Sequence, residues 1–359
     1  MKIIVSAGGT GGHIYPALAI IDKFKEKEKD LEVLYIGTHN RMEKDIVPAR
    51  GIKYEALEIY GFSKSDIKRD IKNIFLIKKA YNKCLRIMQE FKPDIVIGVG
   101  GYVTFPVIKA ANKLGIKTFI HEQNSIPGKS NILLSKKADL IGVSFGDSKK
   151  YFKNSNIAYT GNPCGEAALK TKNISKTSLK LNKDKKLVLV VAGSLGSSTL
   201  NRTFKDFLRK VKNEDYEVVY ITGNSHYDAF VKNEIFPKNV KVLPYLDNLA
   251  GLMKNVDLMI TRAGASTISE ILSLGVPAIF VPSPYVANNH QYFNALEIKN
   301  KNAALMIEEK DLNSDILLKE ISELFKDTKR YNELKKNVKE LGTKNSSETI
   351  YNLIKGLIK

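Results

Sequence analysis

Short runs of aliphatic and β-branched residues alternate along this chain with longer segments of helical periodicity. In the first part of the chain these runs predict strands at 3–6, 33–36, 53–57, 95–97, 117–120, 140–143 and 157–160. Nearly continuous apolar strands that alternate with helices are typical of a parallel sheet covered on both faces. The first part of the chain is therefore predicted to form an α/β unit.

The pattern breaks after residue 160 and then begins again. Gly161-Asn162-Pro163 and the polar stretch 170–186 precede a second series of apolar runs, at 187–191, 217–221, 240–243, 258–260, 278–281 and 304–307. We therefore predict two Rossmann-like domains that face a deep cleft, 1–161 and 162–342. The C-terminal segment 343–359 is expected to pack back on the first domain.

Composition and charge limit the class of protein. Of 359 residues, 43% are hydrophobic and 26% charged, which excludes a mostly disordered, fibrous or integral-membrane chain. No secretory signal follows Met1, so a cytoplasmic protein is expected. Cys84 and Cys164 have no CxxC partner, which argues against a zinc site. The net charge of +19 fits an acidic partner, either nucleic acid, anionic lipid or a phosphorylated substrate, and equally fits a lysine-rich solvated surface.

Glycine-rich loops follow the first and fourth strands, at 6–13 and 98–102. Ligands of parallel sheets bind at the carboxyl ends of strands, and amides at a helix start cradle phosphate. With the polar segment 121–124, these loops are expected to converge on one edge, although each alone is also typical of a tight turn. His13 is the best candidate for a general base, and a histidine that caps a backbone carbonyl is the alternative.

Two common phosphate motifs do not fit the first loop. Ile14 stands where a dinucleotide fingerprint needs a third small residue, and Gly37-Thr38-His39 offers no carboxylate for the ribose of NAD. No Gly-Lys-Ser/Thr sequence follows the glycines, so a Walker A loop is absent. An NAD-dependent oxidoreductase is therefore not expected.

The second half repeats the arrangement of strand, glycine loop and helix. The segment 192–197 could hold a phosphate group, and the amides of Gly264 to Thr267 are expected at a helix start beside the cation of Arg262. Glu270 could accept hydrogen bonds from both hydroxyls of a ribose. Thr267 and Glu270 also have the spacing of a capping box, and the sequence leaves both interpretations open.

These motifs together resemble the MurG family, whose members transfer N-acetylglucosamine from UDP-GlcNAc to lipid I in peptidoglycan synthesis. The resemblance spans nearly the whole chain and lies in the segments 8–13, 100–102, 121–124, 161–163, 262–270 and 289–295. It implies a GT-B fold and an inverting transfer to the C4 hydroxyl of MurNAc in undecaprenyl-pyrophosphoryl-MurNAc-pentapeptide, giving lipid II and UDP. No cofactor is implied. Because the chain has no Asp-x-Asp motif, helix N-termini and cations are expected to stabilise the leaving diphosphate in place of a metal ion.

The resemblance also implies site residues in both domains. The first domain would hold the acceptor pyrophosphate and the reacting hydroxyl, with the residues Thr10, Gly11, Gly12, Gly100, Gly101, Tyr102 and the catalytic His13 and Asn124. The second domain would bind UDP-GlcNAc, with the residues Ser194, Leu246, Arg262, Gly264, Ala265, Ser266, Thr267, Glu270, His290 and Gln291. Among these, Glu270 is expected on the ribose and Leu246 near the uracil, while Gln291 and His290 are expected on the sugar.

Two positions depart from the family pattern on the donor side. Gly165 stands where the family commonly has arginine, and Leu195 stands where it commonly has glutamine. A charge-assisted hydrogen bond is worth about 1.5–3 kcal/mol. We therefore expect Gly165→Arg to strengthen donor binding, although a left-handed backbone conformation at Gly165 would oppose the gain.

The segment 60–88 is expected to dock on an anionic membrane, because it interleaves apolar and basic residues. These residues are Lys64, Ile67, Lys68, Arg69, Ile71, Lys72, Ile74, Phe75, Leu76, Lys78 and Lys79. An ordinary helix with its apolar stripe on the sheet is the alternative, preferred for Tyr81, Leu85 and Met88. The resemblance implies a peripheral protein at the cytoplasmic face of the cell membrane, with other proteins of cell-wall synthesis and division as partners.

Two other functions compete with this interpretation. A related GT-B glycosyltransferase that acts on diacylglycerol would share the fold, but its acceptor has no pyrophosphate to occupy the first glycine loop. A nucleic-acid-binding protein would use the positive charge. Since the sequence has neither zinc-finger spacing nor a ribonucleoprotein aromatic motif, no nucleic-acid partner is expected.

Overall fold

The computed structural model describes residues 1–62, 67–153, 156–191 and 198–358. The chain forms two compact units, Met1–Cys164 with Asn345–Lys359, and Gly165–Lys344. It therefore leaves the first unit after Cys164 and returns to it at Asn345, slightly later at both points than the sequence pattern places the domain boundaries.

The first unit contains a parallel sheet of seven strands in the order β3-β2-β1-β4-β5-β6-β7. The strands are β1 (Lys2–Ser6), β2 (Glu32–Thr38), β3 (Lys53–Leu57), β4 (Ile95–Gly98), β5 (Lys117–Glu122), β6 (Leu140–Val143) and β7 (Ile157–Tyr159). Their helices are α1 (Gly11–Lys27), α2 (Glu43–Ile46), α3 (Ile67–Phe91), α4 (Thr104–Lys113) and α5 (Lys129–Ser135).

Apolar side chains cover both faces of this sheet. Ile3 and Val5 lie in one core cluster with Phe24 of α1, whereas Ile4 lies in another with Val107 of α4. Because successive side chains of a strand point to opposite faces, these clusters lie on opposite sides of the sheet. The nearly continuous apolar strands are explained by this double burial.

The second unit contains a parallel sheet of six strands in the order β10-β9-β8-β11-β12-β13. The strands are β8 (Lys186–Val191), β9 (Tyr216–Ile221), β10 (Val240–Leu243), β11 (Leu258–Thr261), β12 (Ala278–Phe280) and β13 (Leu305–Met306). The helices are α6 (Pro163–Lys170), which begins at the unit boundary, α7 (Ser198–Lys210), α8 (Tyr227–Val231), α9 (Leu249–Met253), α10 (Ala265–Leu274), α11 (His290–Asn300), α12 (Ser314–Lys326) and α13 (Thr328–Leu341).

The C-terminal helix α14 (Ser346–Leu357) packs against α1 in the first unit. Ile350 is fully buried in the same cluster as Phe24, and the ring of Tyr351 meets that of Phe24 edge-on, with 5.1 Å between ring centroids. Lys355 forms an ion pair with Glu28 at 2.7 Å. The chain end is thus fixed to the first unit by apolar contacts and by charge.

Each sheet reverses its strand order once, and that point locates the expected ligand crevice. In the first sheet the reversal lies between β1 and β4, and in the second between β8 and β11. Ligands of open α/β sheets bind outside the carboxyl ends of strands at such a point. The two glycine loops of the first unit leave the sheet at this place.

The prediction of two parallel α/β sheets is confirmed, since every apolar run predicted as a strand forms one. The main difference concerns the end of the fifth run. β5 continues through Glu122, so His121 and Glu122 are buried sheet residues, whereas the sequence pattern placed them in a loop.

Candidate active site

The two glycine loops of the first unit are in direct contact. The amide of Gly8 donates to the carbonyl of Gly100 at 3.2 Å. Gly101 has a φ of 89°, and a Cβ atom there would collide with the Gly8 carbonyl. A side chain at Gly100 would collide with the His13 ring. The predicted convergence of the two glycine loops is confirmed. Glycine is needed at Gly101 because the Gly8 backbone lies so close, and at Gly100 because φ is 106° and the His13 ring fills the space.

The ring of His13 has a defined orientation and tautomer. Its Nδ1 lies 3.1 Å from the carbonyl of Gly8. Because a carbonyl only accepts, Nδ1 carries the proton, and Nε2 of the neutral ring is left able to take one. Burial lowers the pKa of His13, and the hydrogen bond to Gly8 and the charge of Glu43 partly offset that effect. The alternative of a histidine bonded to a backbone carbonyl is therefore found in the structure, and it is compatible with the general-base role, which stays a prediction.

The start of α1 has features that suit the predicted phosphate site. The helix begins at Gly11 with Thr10 as its N-cap, and the Thr10 side chain makes no capping hydrogen bond. No acidic side chain lies in the first turn. The amides of Gly11 and Gly12 and the positive end of the helix dipole therefore suit an anion. Tyr102, half-buried, packs beside Gly61.

Asn124 is held at the end of β5 by a buried carboxylate. Glu122 accepts hydrogen bonds from the amide nitrogen of Asn124 at 2.9 Å and from its side-chain Nδ2 at 3.3 Å. It also accepts from the amide of Gly128 at 3.0 Å and from Asn131 Nδ2 at 2.8 Å. Burial raises the pKa of Glu122, and these donors counteract the rise. Glu122 thus fixes the loop that carries Asn124.

His121 has a structural role although it shares a motif with Asn124. Its Nε2 donates to the carbonyl of Gly161 at 3.0 Å, and its Nδ1 accepts from Gln123 Nε2 at 2.9 Å. Burial lowers the pKa of His121 to about 4. The ring is therefore neutral with both nitrogens engaged, and it ties β5 to the end of the first unit.

Glu43 is a polar group near the glycine loop that the sequence analysis missed. This fully buried carboxylate accepts from the amide of Gly9 at 3.3 Å and from the amide and hydroxyl of Thr38 at 3.0 and 2.6 Å. Its position after β2, at the same sheet edge, is the only sequence signal that could have drawn attention to it.

In the second unit, α10 supplies the expected helix start. It begins at Ala265 with Gly264 as N-cap, so Ser266 and Thr267 lie in its first turn. The capping-box interpretation is wrong, because Thr267 is inside the helix and is not the N-cap. Burial raises the pKa of Glu270 to about 7. A carboxyl group with a raised pKa, on a helix that begins at the carboxyl end of a strand, is a candidate for ligand binding.

Arg262 is engaged within the second unit. Its guanidinium forms an ion pair with the buried Glu309 at 2.6 Å and donates to the carbonyl of Val281 at 3.2 Å. These contacts link the carboxyl ends of β11 and β12 to the segment that follows β13. Much of the charge of Arg262 is thereby neutralised, and its role as a cation for donor phosphates stays a prediction.

The remaining predicted donor residues lie in the loop after β10, at the start of α11, or outside the described residues. Leu246 follows β10, and His290 is the first residue of α11, with Nδ1 2.8 Å from the carbonyl of Ala287. Gln291 uses Oε1 to accept from the amide of Ser283 at 2.9 Å. Ser194 and Leu195 lie outside the described residues.

The predicted benefit of Gly165→Arg is wrong in its geometry. Gly165 lies in α6 without a positive φ, so the left-handed conformation considered above does not occur. A Cβ atom there would lie 2.8 Å from the carbonyl oxygen of Ser269 and would collide with the hydroxyl of Ser273. Helix α6 thus packs tightly on α10 through this glycine, and an arginine side chain has no room in this arrangement.

Among the residues that the structure describes, no cluster of three or more His, Cys, Asp or Glu side chains could hold a metal ion. Within the same residues, no helix combines the length and apolar character needed to cross a bilayer.

Comparison with known proteins gives the class first. The glycosyltransferase family 28 N-terminal domain matches residues 3–143, and the glycosyltransferase family 28 C-terminal domain matches residues 187–350. The two Rossmann-like sheets with these matches define a family-28 glycosyltransferase of GT-B fold.

Individual relatives narrow the class to one family. The UDP-N-acetylglucosamine–N-acetylmuramyl-(pentapeptide) pyrophosphoryl-undecaprenol N-acetylglucosamine transferase of Bacillus licheniformis is 42% identical over 99% of both chains. Its counterpart from Halalkalibacterium halodurans is 41% identical over 100% of both. The crystal structure of Acinetobacter baumannii MurG matches with a TM-score of 0.80 and 28% identity over 99% of both chains. The chain therefore belongs to the MurG family.

A more distant structure shares the fold alone. The Staphylococcus aureus MnaA structure with UDP matches at a TM-score of 0.68 and 18% identity, over 99% of this chain and 96% of that one.

Proposed function

We propose that this enzyme transfers N-acetylglucosamine from UDP-GlcNAc to the C4 hydroxyl of MurNAc in lipid I, forming lipid II and UDP in peptidoglycan synthesis. The observation that carries the proposal is identity of 40–42% over the full length to curated transferases of that reaction. Lipid I is undecaprenyl-pyrophosphoryl-MurNAc-pentapeptide, and its pyrophosphate suits the first glycine loop.

The transfer is a single displacement at the anomeric carbon. His13 Nε2 takes the proton of the acceptor hydroxyl while the hydroxyl oxygen bonds to the anomeric carbon of the donor sugar. The bond from that carbon to the UDP oxygen breaks at the same time, and the configuration at the carbon is inverted. Asn124 orients the acceptor. The amides of Gly11 and Gly12, with the loop from Gly100 to Tyr102, hold the acceptor pyrophosphate, which carries no charge change in the reaction.

The second unit binds the donor and stabilises its leaving group. The helix start of Gly264, Ala265, Ser266 and Thr267, together with Ser194, holds the diphosphate as negative charge develops on it. Glu270 accepts from the ribose hydroxyls, and Leu246 contacts the uracil. Gln291 and His290 contact the sugar. No metal ion is required by this assignment.

Helix α3 docks the enzyme on the inner membrane surface, where its lipid substrate lies. Ile71, Ile74 and Phe75 are 54%, 58% and 70% exposed, an unusual exposure for three apolar residues within two helical turns. Lys72, Lys78 and Lys79 are exposed on the same helix. Apolar insertion flanked by cations suits an anionic leaflet.

Part of the predicted docking segment is excluded from this surface. Leu76 packs against the core cluster that contains Cys84 and Met88, and Tyr81 and Leu85 do the same, as expected for them. Lys64 and the side chains of Ile67 and Lys68 lie outside the described residues. Within the described part of α3, the proposed docking surface is therefore the outward face that carries Ile71, Ile74 and Phe75.

The proposed reaction is tested by radiolabel transfer from UDP-GlcNAc to a short-chain lipid I analogue, with diacylglycerol as the competing acceptor. Transfer to the lipid I analogue that persists in EDTA is expected. Transfer to diacylglycerol alone would favour the related glycolipid synthase, and loss of transfer in EDTA would contradict the metal-independent mechanism.

A further inference from the structure

The carboxylate of Glu43 occupies a place that two glycines leave open. A Cβ atom at Gly8 would collide with the Glu43 carboxylate, and one at Gly37 would lie 2.8 Å from Glu43 Cγ. Gly8 belongs to the first glycine loop and Gly37 to the end of β2. A fully buried carboxylate is costly unless hydrogen bonds compensate it, and Glu43 receives them from Gly9 and Thr38.

A short path leads from this carboxylate to the base. Glu43 holds the amide of Gly9, and the adjacent carbonyl of Gly8 accepts from Nδ1 of His13. Rotation of the Gly8-Gly9 peptide would therefore move the group that sets the tautomer of His13. The charge of Glu43 also acts on Tyr35 and Tyr54. Burial is the main reason why the pKa values of both tyrosines are raised, and the negative charge of Glu43 raises them further.

We propose that Glu43 is a positioning residue for the transfer: it fixes the Gly8-Gly9 peptide that orients His13, and its negative charge strengthens His13 as a base. The inference rests on the proposed function, in which His13 takes the acceptor proton. If the carboxylate only joined β2 to the loop, its replacement would change stability but would leave kcat and its pH dependence unchanged.

The experiment compares Glu43→Gln with the matched control Asp45→Asn. Both changes remove one negative charge from α2 at nearly constant volume, but the Asp45 side chain is 73% exposed and pairs with Lys44. The His13 ring is titrated by NMR in the full chain, with its signal assigned by its loss in His13→Gln. The pKa of His13 is expected to fall by about 0.5 or more in Glu43→Gln and to stay unchanged in Asp45→Asn.

Kinetics supply the second readout. In Glu43→Gln, kcat is expected to fall about 10-fold or more with the KM for UDP-GlcNAc within twofold, and the acidic limb of the kcat profile should move to lower pH. Glu43→Asp keeps the charge but shortens the reach to Gly9. In this variant the pKa of His13 should stay closer to the wild-type value than in Glu43→Gln, while kcat should still fall. Glu43→Asp also replaces Glu43→Gln in the test if the latter variant does not fold.

An unchanged pKa of His13 in folded Glu43→Gln would overturn the proposal, as would an unchanged kcat in Glu43→Asp or an equal shift in Asp45→Asn. Failure of the proposed function would look different. In that case the wild-type enzyme would transfer no sugar to lipid I, while the NMR titration would still report the effect of the Glu43 charge on the pKa of His13.

Discussion

At the scale of single residues, the site depends on where protons and charges are held. The carbonyl of Gly8 fixes the proton of His13 on Nδ1, and burial keeps the ring neutral at physiological pH. The carboxylate of Glu122 accepts four hydrogen bonds from within the protein, two on each oxygen. Glu122 therefore supports Asn124 and has no free acceptor position for a substrate. One histidine therefore combines the geometry and the protonation state of a base.

His13→Ala should lower kcat by about 10²–10⁴-fold, the usual contribution of general-base catalysis. In the wild type, the lowered pKa of His13 predicts that kcat is retained below pH 6.5 and falls only when the pH drops through that lower pKa, because only the neutral ring accepts a proton. Steady-state kinetics across pH measure both effects. A kcat within threefold of the wild type would remove His13 from the mechanism.

Glu270 should make donor binding depend on pH near neutrality. Its pKa of about 7 means that the carboxylate, the stronger acceptor for ribose hydroxyls, is lost as the pH falls below 7. The KM for UDP-GlcNAc should rise several-fold between about pH 8 and 6, and Glu270→Gln should abolish this dependence. A parallel pH dependence in Glu270→Gln would assign the effect to another group.

At the scale of elements, the sequence predicts features that depend on a local pattern, such as the start of a helix. It does not predict contacts between residues that are distant along the chain. The helix start at Gly264 follows from a strand, a glycine and small polar residues in order, and it is found there. The role of Glu43 depends on contacts with Gly8 and Gly37, which no spacing reveals. The sequence draws attention to the arginine that is missing at Gly165. The close packing of this glycine against α10, which excludes larger side chains, is visible only in the structure.

Gly165→Arg should destabilise the second unit and leave the donor KM unimproved. The new side chain meets the backbone of Ser269, and overpacking of this kind typically costs about 1–3 kcal/mol. Thermal unfolding and the donor KM are measured together, with the smaller change Gly165→Ala expected to show part of the same loss. A lower KM at normal stability would show that α6 and α10 can separate to admit the arginine.

Helix α3 should lose membrane affinity when its exposed apolar residues are removed. The double variant Ile74→Ser, Phe75→Ser is expected to sediment far less with anionic vesicles, while its transfer to a soluble acceptor analogue stays normal. Ile235→Ser is the matched control, since Ile235 is 95% exposed but belongs to the other unit. Equal sedimentation of the double variant and the wild type would exclude this docking surface.

At the scale of the whole molecule, the chain builds the same kind of parallel α/β sheet in each of its two units. In each sheet a helix that begins next to glycine follows a strand at the point where the strand order reverses, and the sheets themselves were predictable from the alternation of strands and helices. The return of α14 to the first unit was also expected from its amphipathic pattern, but its contacts with Phe24 and Glu28 could not be read from the sequence. The chain belongs to a family of transferases along its full length.

The most direct test of this account is the NMR structure determination of the disaccharide linkage in the product formed from UDP-GlcNAc and a lipid I analogue. A single displacement on the α-linked donor predicts N-acetylglucosamine joined through a β linkage to the C4 oxygen of MurNAc. An α linkage, or attachment at another oxygen, would contradict the proposed mechanism.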